Sequence, residues 1–195
     1  MTRIISGAAG SLRLEVPKAG TRPTSDRVRE AIFSALESWE LVRGSRVLDL
    51  YAGSGALGLE AASRGAETVV LVEKHPQAAQ VAGRNAKTVG QAFADEDRPR
   101  IEVVRSSVQS YLDAADGERF DVIVLDPPYD LGEPELSANL EAAASLLADD
   151  GVVLVERSSR SPEPGWPAGL ERFRERRYGE TALWFAERPV EAPAR

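Results

Sequence analysis

Four consecutive residues, Asp126-Pro-Pro-Tyr129, have the side chains and the rigidity needed for chemistry on a planar amine. They directly follow the apolar run Phe120–Leu125, which predicts a buried strand that delivers them at its carboxyl end. An amine conjugated with a ring or a carbonyl is a poor nucleophile because its lone pair is delocalised. The Asp126 carboxylate and the Pro127 carbonyl can each accept one N–H and so turn that lone pair towards an electrophile. The prolines fix both acceptors, and Tyr129 can stack on a planar base.

A glycine-rich turn follows a second apolar run, at residues 46–50. The turn contains Gly53, Gly55 and Gly58 in a Gly-x-Gly-x-x-Gly pattern, and a helical pattern begins inside it. Strand, glycine turn and helix together bring backbone N–H groups and the positive end of a helix to a ligand. The first two glycines permit close approach because they have no Cβ. By itself the motif fits a nicotinamide site equally well, or a tight turn with no ligand.

Strand and helix patterns alternate from residue 46 onwards. Apolar runs predict strands near 46–50, 68–72, 100–104, 120–125 and 150–156, with helices near 56–64, 76–88, 107–115 and 134–147. Residues 170–177 and 181–186 predict a closing antiparallel pair, and 89–99 and 157–168 predict loops. The alternation predicts an α/β fold with a doubly wound sheet covered on both faces.

The chain before the sheet has a different pattern. Segments 3–6 and 11–16 predict a small β-hairpin, and an amphipathic helix begins after Thr24 or Ser25. We therefore divide the chain into an N-terminal hairpin extension (1–20), a main domain (21–187) and a frayed tail (188–195).

Composition narrows the class of protein. The chain of 195 residues is 43% hydrophobic and 28% charged, which is ordinary for a globular protein. It has no cysteine and one histidine, His75, so we expect no disulfide and no metal site. No apolar run approaches the roughly 18–20 residues that span a membrane, and no signal-peptide pattern is present. We expect a cytoplasmic monomer that does not contact membranes.

The net charge of −7 argues at first against nucleic acid, but the charge is unevenly distributed. Through Arg29 the local charge is +4, and from Arg157 to Arg177 it is +3. The basic residues of the first region are Arg3, Arg13, Lys18, Arg22, Arg27 and Arg29. Basic ends on an acidic body could meet a phosphate backbone on one face. On composition alone, ordinary solvated charge explains the pattern as well.

Together these motifs resemble class I S-adenosylmethionine (SAM)-dependent methyltransferases that methylate amines. Dehydrogenases share the glycine turn and an acidic residue such as Glu73 after the next strand, but they lack the Asp-Pro-Pro-Tyr turn. The resemblance narrows with Gly20-Thr-Arg-Pro-Thr-Ser-Asp-Arg-Val-Arg-Glu-Ala31 and Tyr178-Gly-Glu-Thr181. In order and spacing, and over nearly the whole chain, these segments are similar to the RsmD-type 16S rRNA (guanine-N2) methyltransferases. That class has a seven-stranded, Rossmann-like sheet whose last strand is antiparallel.

The resemblance implies SAM as the cofactor and assigns its contacts. Gly53 and Gly55 would approach the methionine part, Asp49 would accept from its ammonium, and Glu73 would accept from the ribose hydroxyls. The adenine would lie after the third strand. Many relatives carry an acidic or amide residue there, whereas this chain has serines. The adenine contact therefore falls to Ser107 and to backbone groups around Val108.

The resemblance also implies an RNA substrate. The methyl group would go to the exocyclic N2 amine of a guanine in the helix 31 loop of 16S rRNA, on 30S particles. Arg22 and Thr24 would lie close to the reaction cleft, and the hairpin, with Arg3 and Arg13, would contact RNA. Under this hypothesis, deleting residues 1–18 should leave SAM binding and the sheet intact but remove most of the methylation.

Three other functions fit parts of the pattern. Protein glutamine N5-methyltransferases use a similar turn, but they usually begin it with Asn and carry a helical N-terminal domain. DNA adenine methyltransferases share the Asp-Pro-Pro-Tyr sequence. A non-catalytic ribosome assembly factor of the same fold is the alternative outside enzymes, and the intact turn from Asp126 to Tyr129 argues against it.

Overall fold

The computed structural model describes residues 2–17 and 24–190. Its strands are β1 (Thr2–Arg3), β2 (Arg13–Leu14), β3 (Arg46–Leu50), β4 (Thr68–Val72), β5 (Arg100–Val104), β6 (Phe120–Leu125), β7 (Leu147–Ser158), β8 (Glu171–Tyr178) and β9 (Thr181–Glu187). Its α-helices are α1 (Asp26–Ser38), α2 (Ala56–Ser63), α3 (Pro76–Gly90), α4 (Val108–Ala114) and α5 (Glu133–Leu146).

A seven-stranded sheet in the order β5-β4-β3-β6-β7-β9-β8 forms the centre of the molecule. The pairs from β5 to β7 are parallel, and β9 lies antiparallel between β7 and β8. The last strand in the chain is thus the antiparallel one. The predicted α/β fold, a doubly wound seven-stranded Rossmann-like sheet with a small N-terminal hairpin, is confirmed.

Neighbouring residues on the central strands face opposite sides, and both sides are covered. Val47 and Val69 pack in a core cluster with residues of α1, α2 and α3. Leu48 and Val70 pack in a second cluster with residues of α4 and α5. Strands that are buried on both faces consist of largely apolar runs, and such runs made β3, β4 and β6 predictable from the sequence to the residue. The bounds of the partly exposed edge strand β5 also agree with the prediction.

Two predicted loops contain more regular structure than expected. The polar segment 89–99 includes the last turn of α3 and a short 3-10 turn at Asp95–Asp97. The strand predicted at 150–156 begins at Leu147, directly after α5, and continues to Ser158. It is longer because β9 pairs with it as far as Ser158, which lies opposite Thr181. The sequence predicts a loop from residue 157 because that segment is polar, but its first two residues belong to the strand.

The N-terminal segment (residues 2–17) packs on the sheet domain. Its strands β1 and β2 have two residues each, too few to be stable alone. Ile4, Ala9 and Leu14 are buried in the same core cluster as α1 and α2. The buried Glu60 of α2 accepts hydrogen bonds from the backbone N–H groups of Ile5 at 2.8 Å and of the next residue at 3.0 Å.

Two further contacts lock this segment in place. Gly7 lies so close to α2 that a Cβ there would be 1.9 Å from the Ser63 carbonyl oxygen. Asn85 of α3 accepts from the Glu15 N–H at 2.8 Å and donates to the Glu15 carbonyl at 3.0 Å and the Ser54 carbonyl at 2.9 Å. We therefore revise the expected effect of deleting residues 1–18. The deletion would remove two hydrogen-bond donors from the buried Glu60 and two partners from the buried Asn85, and we expect this loss to destabilise the domain.

The predicted tail begins with an anchored residue. The guanidinium of Arg188 donates to the carbonyl oxygens of Ala144 at 3.1 Å and Leu147 at 2.6 Å. These contacts cap the carboxyl end of α5 and hold the chain at least as far as residue 188. Residues 191–195 lie outside the described part of the chain.

Candidate active site

Four residues at the ends of neighbouring strands lie in one row along the carboxyl edge of the sheet. In the strand register Val72, Leu50, Leu125 and Val155 lie side by side on β4, β3, β6 and β7. The next residues on these four strands are Glu73, Tyr51, Asp126 and Glu156. Adjacent strands lie about 4.8 Å apart, so the row spans only a few residue widths. Between β3 and β6 the strand order reverses, which is where open α/β sheets bind ligands.

The three glycines of the turn have different surroundings. Gly53 has a φ of 56°, and a Cβ placed on it would meet no atom within 4 Å. A Cβ on Gly55 would lie 2.9 Å from Leu71 Cδ1, and one on Gly58 would lie 2.4 Å from Leu71 Cδ2. Gly53 therefore borders open space where a ligand can approach, whereas the other two glycines let α2 pack closely on β4.

Glu73 lies between the glycine turn and the loop that leads into α3. It is buried, and its carboxylate accepts hydrogen bonds from the backbone N–H groups of Gly53 at 2.8 Å and His75 at 2.7 Å. A carboxylate has about four lone-pair sites, so two remain for further donors. Glu73 thus has the position and the free acceptor capacity for the predicted ribose contact.

Asp49 lies beneath the turn, with its Oδ2 accepting from the Gly58 N–H at 2.9 Å. It is 1% exposed. Burial, reinforced by the nearby charges of Asp126 and Glu73, raises the pKa of Asp49 to about 7. A cationic group binding here would therefore meet an acid that changes its charge near neutral pH.

Tyr51 is a feature that sequence reasoning missed. It has a φ of 64°, a left-handed conformation that is rare for a bulky residue, and it lies in the row of strand ends that forms the candidate site. Its hydroxyl donates to the buried Asn139 Oδ1, and Asn139 Nδ2 donates to Gln109 Oε1 at 2.7 Å. Burial raises the pKa of the Tyr51 hydroxyl, which keeps it protonated and able to donate. No pattern in the sequence marks a positive φ at a tyrosine.

The predicted adenine region lies at the start of α4. Ser107 is the N-cap of that helix, and its hydroxyl accepts from the Ser110 N–H at 3.1 Å. Val108 is buried beneath it. Because the Ser107 hydroxyl is engaged as a cap, an adenine contact here falls more readily to backbone groups. The assignment of Ser107 and Val108 to the cofactor stays a prediction.

Asp126 shares the hydroxyl of Thr24 with a second carboxyl group. Thr24 Oγ1 lies 3.2 Å from Asp126 Oδ2 and 3.0 Å from Glu156 Oε2. Burial raises the pKa of both acids, and the charge of Asp126 raises that of Glu156 further. Pro127 is buried, whereas Tyr129, at the end of the turn, is 63% exposed. The structure thus brings the predicted Thr24 and Asp126 together.

Glu156 was not among the predicted site residues. It occupies the last position of the strand predicted at 150–156. Glu73 and Asp126 are each an acidic residue at the carboxyl end of an apolar strand, and this pattern predicts both of them. Glu156 has the same position on the strand 150–156, so the same pattern also points to Glu156.

A small basic pocket lies on the hairpin. Arg3 and Arg13 are exposed and face each other across the β1–β2 pair, and Arg3 Nε lies 3.3 Å from Asp26 Oδ2. These residues and Ser11 line a pocket of about 290 Å³. Asp26 is two residues beyond Thr24, so the chain runs directly from this pocket to Asp126. The predicted substrate residue Arg22 lies outside the described residues.

The basic region from Arg157 to Arg177 is less available to bind RNA than the hairpin. Arg157 is buried, and its Nη2 donates to Glu133 Oε1 at 2.8 Å. Arg172 and Arg177 both form ion pairs with Glu175. Arg174 lies over the ring of Trp39, with its guanidinium carbon 5.1 Å from the ring centroid. Much of the positive charge between Arg157 and Arg177 is thus already paired.

Two kinds of feature are missing from the part of the chain that the structure covers. Within residues 2–17 and 24–190, no group of three or more His, Asp or Glu side chains is placed to hold a metal ion. None of the helices in the same residues is long and apolar enough to cross a membrane.

Residues 2–187 match the family described as Conserved hypothetical protein 95. The chain belongs to this family. It is 35% identical over 190 residues to Ribosomal RNA small subunit methyltransferase D of Escherichia coli K12, covering 97% of this chain and 91% of that relative. It is 33% identical over 162 residues to the protein of the same name from Haemophilus influenzae, covering 82% and 80%.

A solved structure supports the family assignment. A hypothetical protein of Thermus thermophilus has 36% identity and a TM-score of 0.80, over 96% of this chain and 99% of that one. The similarity therefore extends over the whole domain, including the N-terminal segment. The resemblance to the RsmD-type family, inferred from four motifs, is confirmed by these matches.

Proposed function

We propose that this protein transfers a methyl group from SAM to the exocyclic N2 amine of a guanine in 16S rRNA. The observation that carries the proposal is the row of residues at the carboxyl edge of the sheet. In that row Asp126, the acceptor for a target amine, is separated from Glu73 by the single strand β3, and β3 itself leads into the glycine turn. The names of the family relatives from two bacteria support rRNA as the substrate.

The residues around the turn fit the chemical groups of SAM. The open space at Gly53 admits a ligand close to the backbone. Glu73 retains free acceptor sites for a ribose diol, and Asp49 can balance an ammonium group. When bound there, SAM supplies a methyl group on a positively charged sulfur.

The Asp126 turn prepares the amine. The Asp126 carboxylate and the Pro127 carbonyl each accept one N–H, so the nitrogen lone pair points towards the cofactor side of the row. The nitrogen forms its new bond to the methyl carbon while the electrons of the old carbon–sulfur bond stay on sulfur. The extra proton on nitrogen then passes to the Asp126 carboxylate. Tyr129, exposed next to the turn, holds the base by stacking on its ring.

The basic pocket gives this acidic protein a place to hold RNA. Arg3 and Arg13 can bind one phosphate between them, and Asp26 keeps Arg3 in position. The pocket is linked to Asp126 through Thr24, so a phosphate bound there would lie near the target nucleotide. The hairpin extension (1–20) would then position RNA, and the main domain (21–187) would carry the chemistry.

The finer features of the substrate rest on the family resemblance. We propose that the guanine lies in the helix 31 loop and that the protein, as a monomer, methylates 30S particles in the cytoplasm. An acidic body repels unrelated RNA, which favours a target that a ribosomal particle already holds in shape.

Mass mapping of rRNA would test this function. A strain that lacks the gene should lack one N2-methylguanosine in 16S rRNA. The wild-type gene should restore it, and Asp126→Ala should not. A deletion strain with an unchanged set of 16S methylguanosines would refute the proposal. Assays of the purified protein on 30S particles, free rRNA, DNA and glutamine peptides would then show which alternative substrate it uses.

A further inference from the structure

Glu156 is a buried carboxyl group that the methyl-transfer scheme does not use. It is 8% exposed and lies beside Asp126, because Val155 and Leu125 pair in the sheet. A buried acid is costly as an anion unless it is paired or accepts enough hydrogen bonds. The position next to Asp126 therefore requires an explanation.

The hydrogen bonds of Thr24 restrict which of the two acids, Asp126 and Glu156, can be protonated. A threonine hydroxyl carries one proton, yet its oxygen lies within hydrogen-bond distance of both Asp126 Oδ2 and Glu156 Oε2. It can donate to only one of them. The other acid satisfies this geometry best when it is protonated and donates to the hydroxyl oxygen.

Among residues 2–17 and 24–190, the charged groups on the neighbouring strand ends do not compensate two negative charges at Asp126 and Glu156. Asp49 on β3, which is influenced by the charge of Asp126, is itself acidic, as is Glu73 after β4. On β9 the residue opposite Glu156 is the apolar Leu183. The neighbouring Arg157 pairs with Glu133 instead. Within residues 2–17 and 24–190, no ion pair joins a basic side chain to Asp126 or Glu156.

We propose that Glu156 is a positioning residue that keeps a proton and donates it to Thr24 Oγ1, while Thr24 donates its own proton to Asp126 Oδ2. Asp126 then faces the target amine as a carboxylate, with Oδ1 free and its orientation fixed. This inference rests on the proposed function, which gives Asp126 its target amine. Burial and the charge of Asp126 both raise the pKa of Glu156, in the same direction as the geometry.

The proposed hydrogen bonds from Glu156 to Thr24 and from Thr24 to Asp126 predict how the rate of methylation depends on pH. When Glu156 loses its proton at alkaline pH, Thr24 can serve only one of two adjacent anions, and Asp126 is no longer held. Glu156→Gln stays neutral at every pH, and its amide can still donate to Thr24. Glu156→Ala removes the donor altogether. Loss of Asp126 ionisation at acidic pH should affect the wild type and the glutamine variant alike.

Single-turnover methylation of 30S particles across pH, at saturating SAM, tests these expectations. Saturating SAM removes the contribution of Asp49, which acts on cofactor binding. The alkaline decline should be present in the wild type and absent in Glu156→Gln. Near neutral pH the glutamine variant should lose less than about 5-fold, whereas Glu156→Ala and Thr24→Val should lose about 5- to 150-fold. Thr24→Ser keeps the hydroxyl and should recover most of the activity that Thr24→Val loses, together with the alkaline decline. An unchanged alkaline decline in Glu156→Gln would overturn the inference.

Infrared titration of the enzyme without RNA provides a readout that does not need activity. A band from a protonated carboxyl group should persist at neutral pH, disappear at alkaline pH and be absent from Glu156→Gln. Because Asp49 titrates nearby, the comparison is made in Asp49→Asn proteins. If the band behaves so but the wild type methylates no RNA, the proposed function fails and the assignment of the proton stands. If the wild type methylates RNA and the band is unaffected by Glu156→Gln, this inference alone fails.

Discussion

The two halves of the carboxyl edge are built differently. On the cofactor side, Glu73 and Asp49 accept hydrogen bonds from backbone N–H groups of the glycine turn and its flanks. On the target side, Asp126 and Glu156 share the hydroxyl of one threonine, and Tyr129 projects from the turn. The cofactor side is rigid before any ligand binds. The target side has acceptor capacity at its carboxylates and an exposed ring on which a substrate base can stack.

The difference indicates that the two sides have separate functions, cofactor binding on one and methyl transfer on the other. Backbone donors cannot be altered by side-chain substitutions elsewhere, so the cofactor site is preorganised by the fold itself. The target side depends on a few side chains and on RNA. Substitutions on the two sides should therefore affect different measurements, one the affinity for SAM and the other the rate of transfer.

The largest difference between the effect on methyl transfer and the effect on SAM binding is expected at Asp126. Asp126→Ala should reduce single-turnover methylation by about 10²–10⁴-fold, since the amine loses the group that orients it and accepts its proton. Calorimetry should show SAM affinity within about 2-fold of the wild type, because no cofactor group contacts Asp126 in the proposed scheme. Asp126→Asn keeps one acceptor oxygen and should retain more activity than the alanine variant. Near wild-type turnover in Asp126→Ala would contradict the proposed role.

At Gly53 we expect the opposite pattern, in which a substitution weakens SAM binding. Gly53→Val fills the open space beside the turn and should weaken SAM binding by about 5- to 150-fold, which corresponds to about 1–3 kcal/mol. Gly117→Val is a matched control, because Gly117 also has a positive φ, of 71°, with no atom within 4 Å of a Cβ. Both variants should lose similar thermal stability. If Gly117→Val weakened SAM binding as much, the effect would come from the backbone and not from the site.

A smaller effect is expected from pH on the cofactor side. Asp49, with a pKa near 7, is neutral below that value and negative above it. SAM is cationic and prefers the ionised acid, so its dissociation constant should fall by about tenfold from pH 6 to pH 8. Asp49→Asn should bind more weakly at pH 8 and lose this dependence. Calorimetry of both proteins across this range would show it, and equal slopes would remove Asp49 from the ammonium site.

The smallest effect is expected on the hairpin. Arg3→Ala should reduce the slope of log affinity for 30S particles against log salt by about 1, because one phosphate contact is lost. Arg100→Ala is the control, since Arg100 is also exposed but lies on the edge strand β5. SAM binding should be unchanged in both. Equal slopes in all three proteins would move RNA recognition away from the hairpin pocket.

The sequence predicted correctly those features that are determined by residues close together in the chain. The patterns of apolar residues predicted the bounds of β3, β4, β5 and β6, and acids at strand ends predicted Glu73 and Asp126. The pairing of Glu156 with Asp126 was missed because it depends on the register of β6 and β7. The roles of Asn85 and Glu60 were missed because their partners lie 54 to 70 residues away. Because the sequence does not show these contacts, it predicts that the N-terminal segment is an extension that can be removed without unfolding the sheet.

The docking of the N-terminal segment has a consequence for synthesis of the chain. Ile5 and Ala9 leave the ribosome before their partners Glu60 and Ser63, and Glu15 before Asn85. Contacts of such long sequence separation form late, because a large loop must close first. Arg3 and Arg13 therefore remain on an unattached strand until α2 and α3 have been made. A nascent chain acquires its basic pocket only after the glycine turn exists, so an unfinished enzyme has no assembled surface with which to hold RNA.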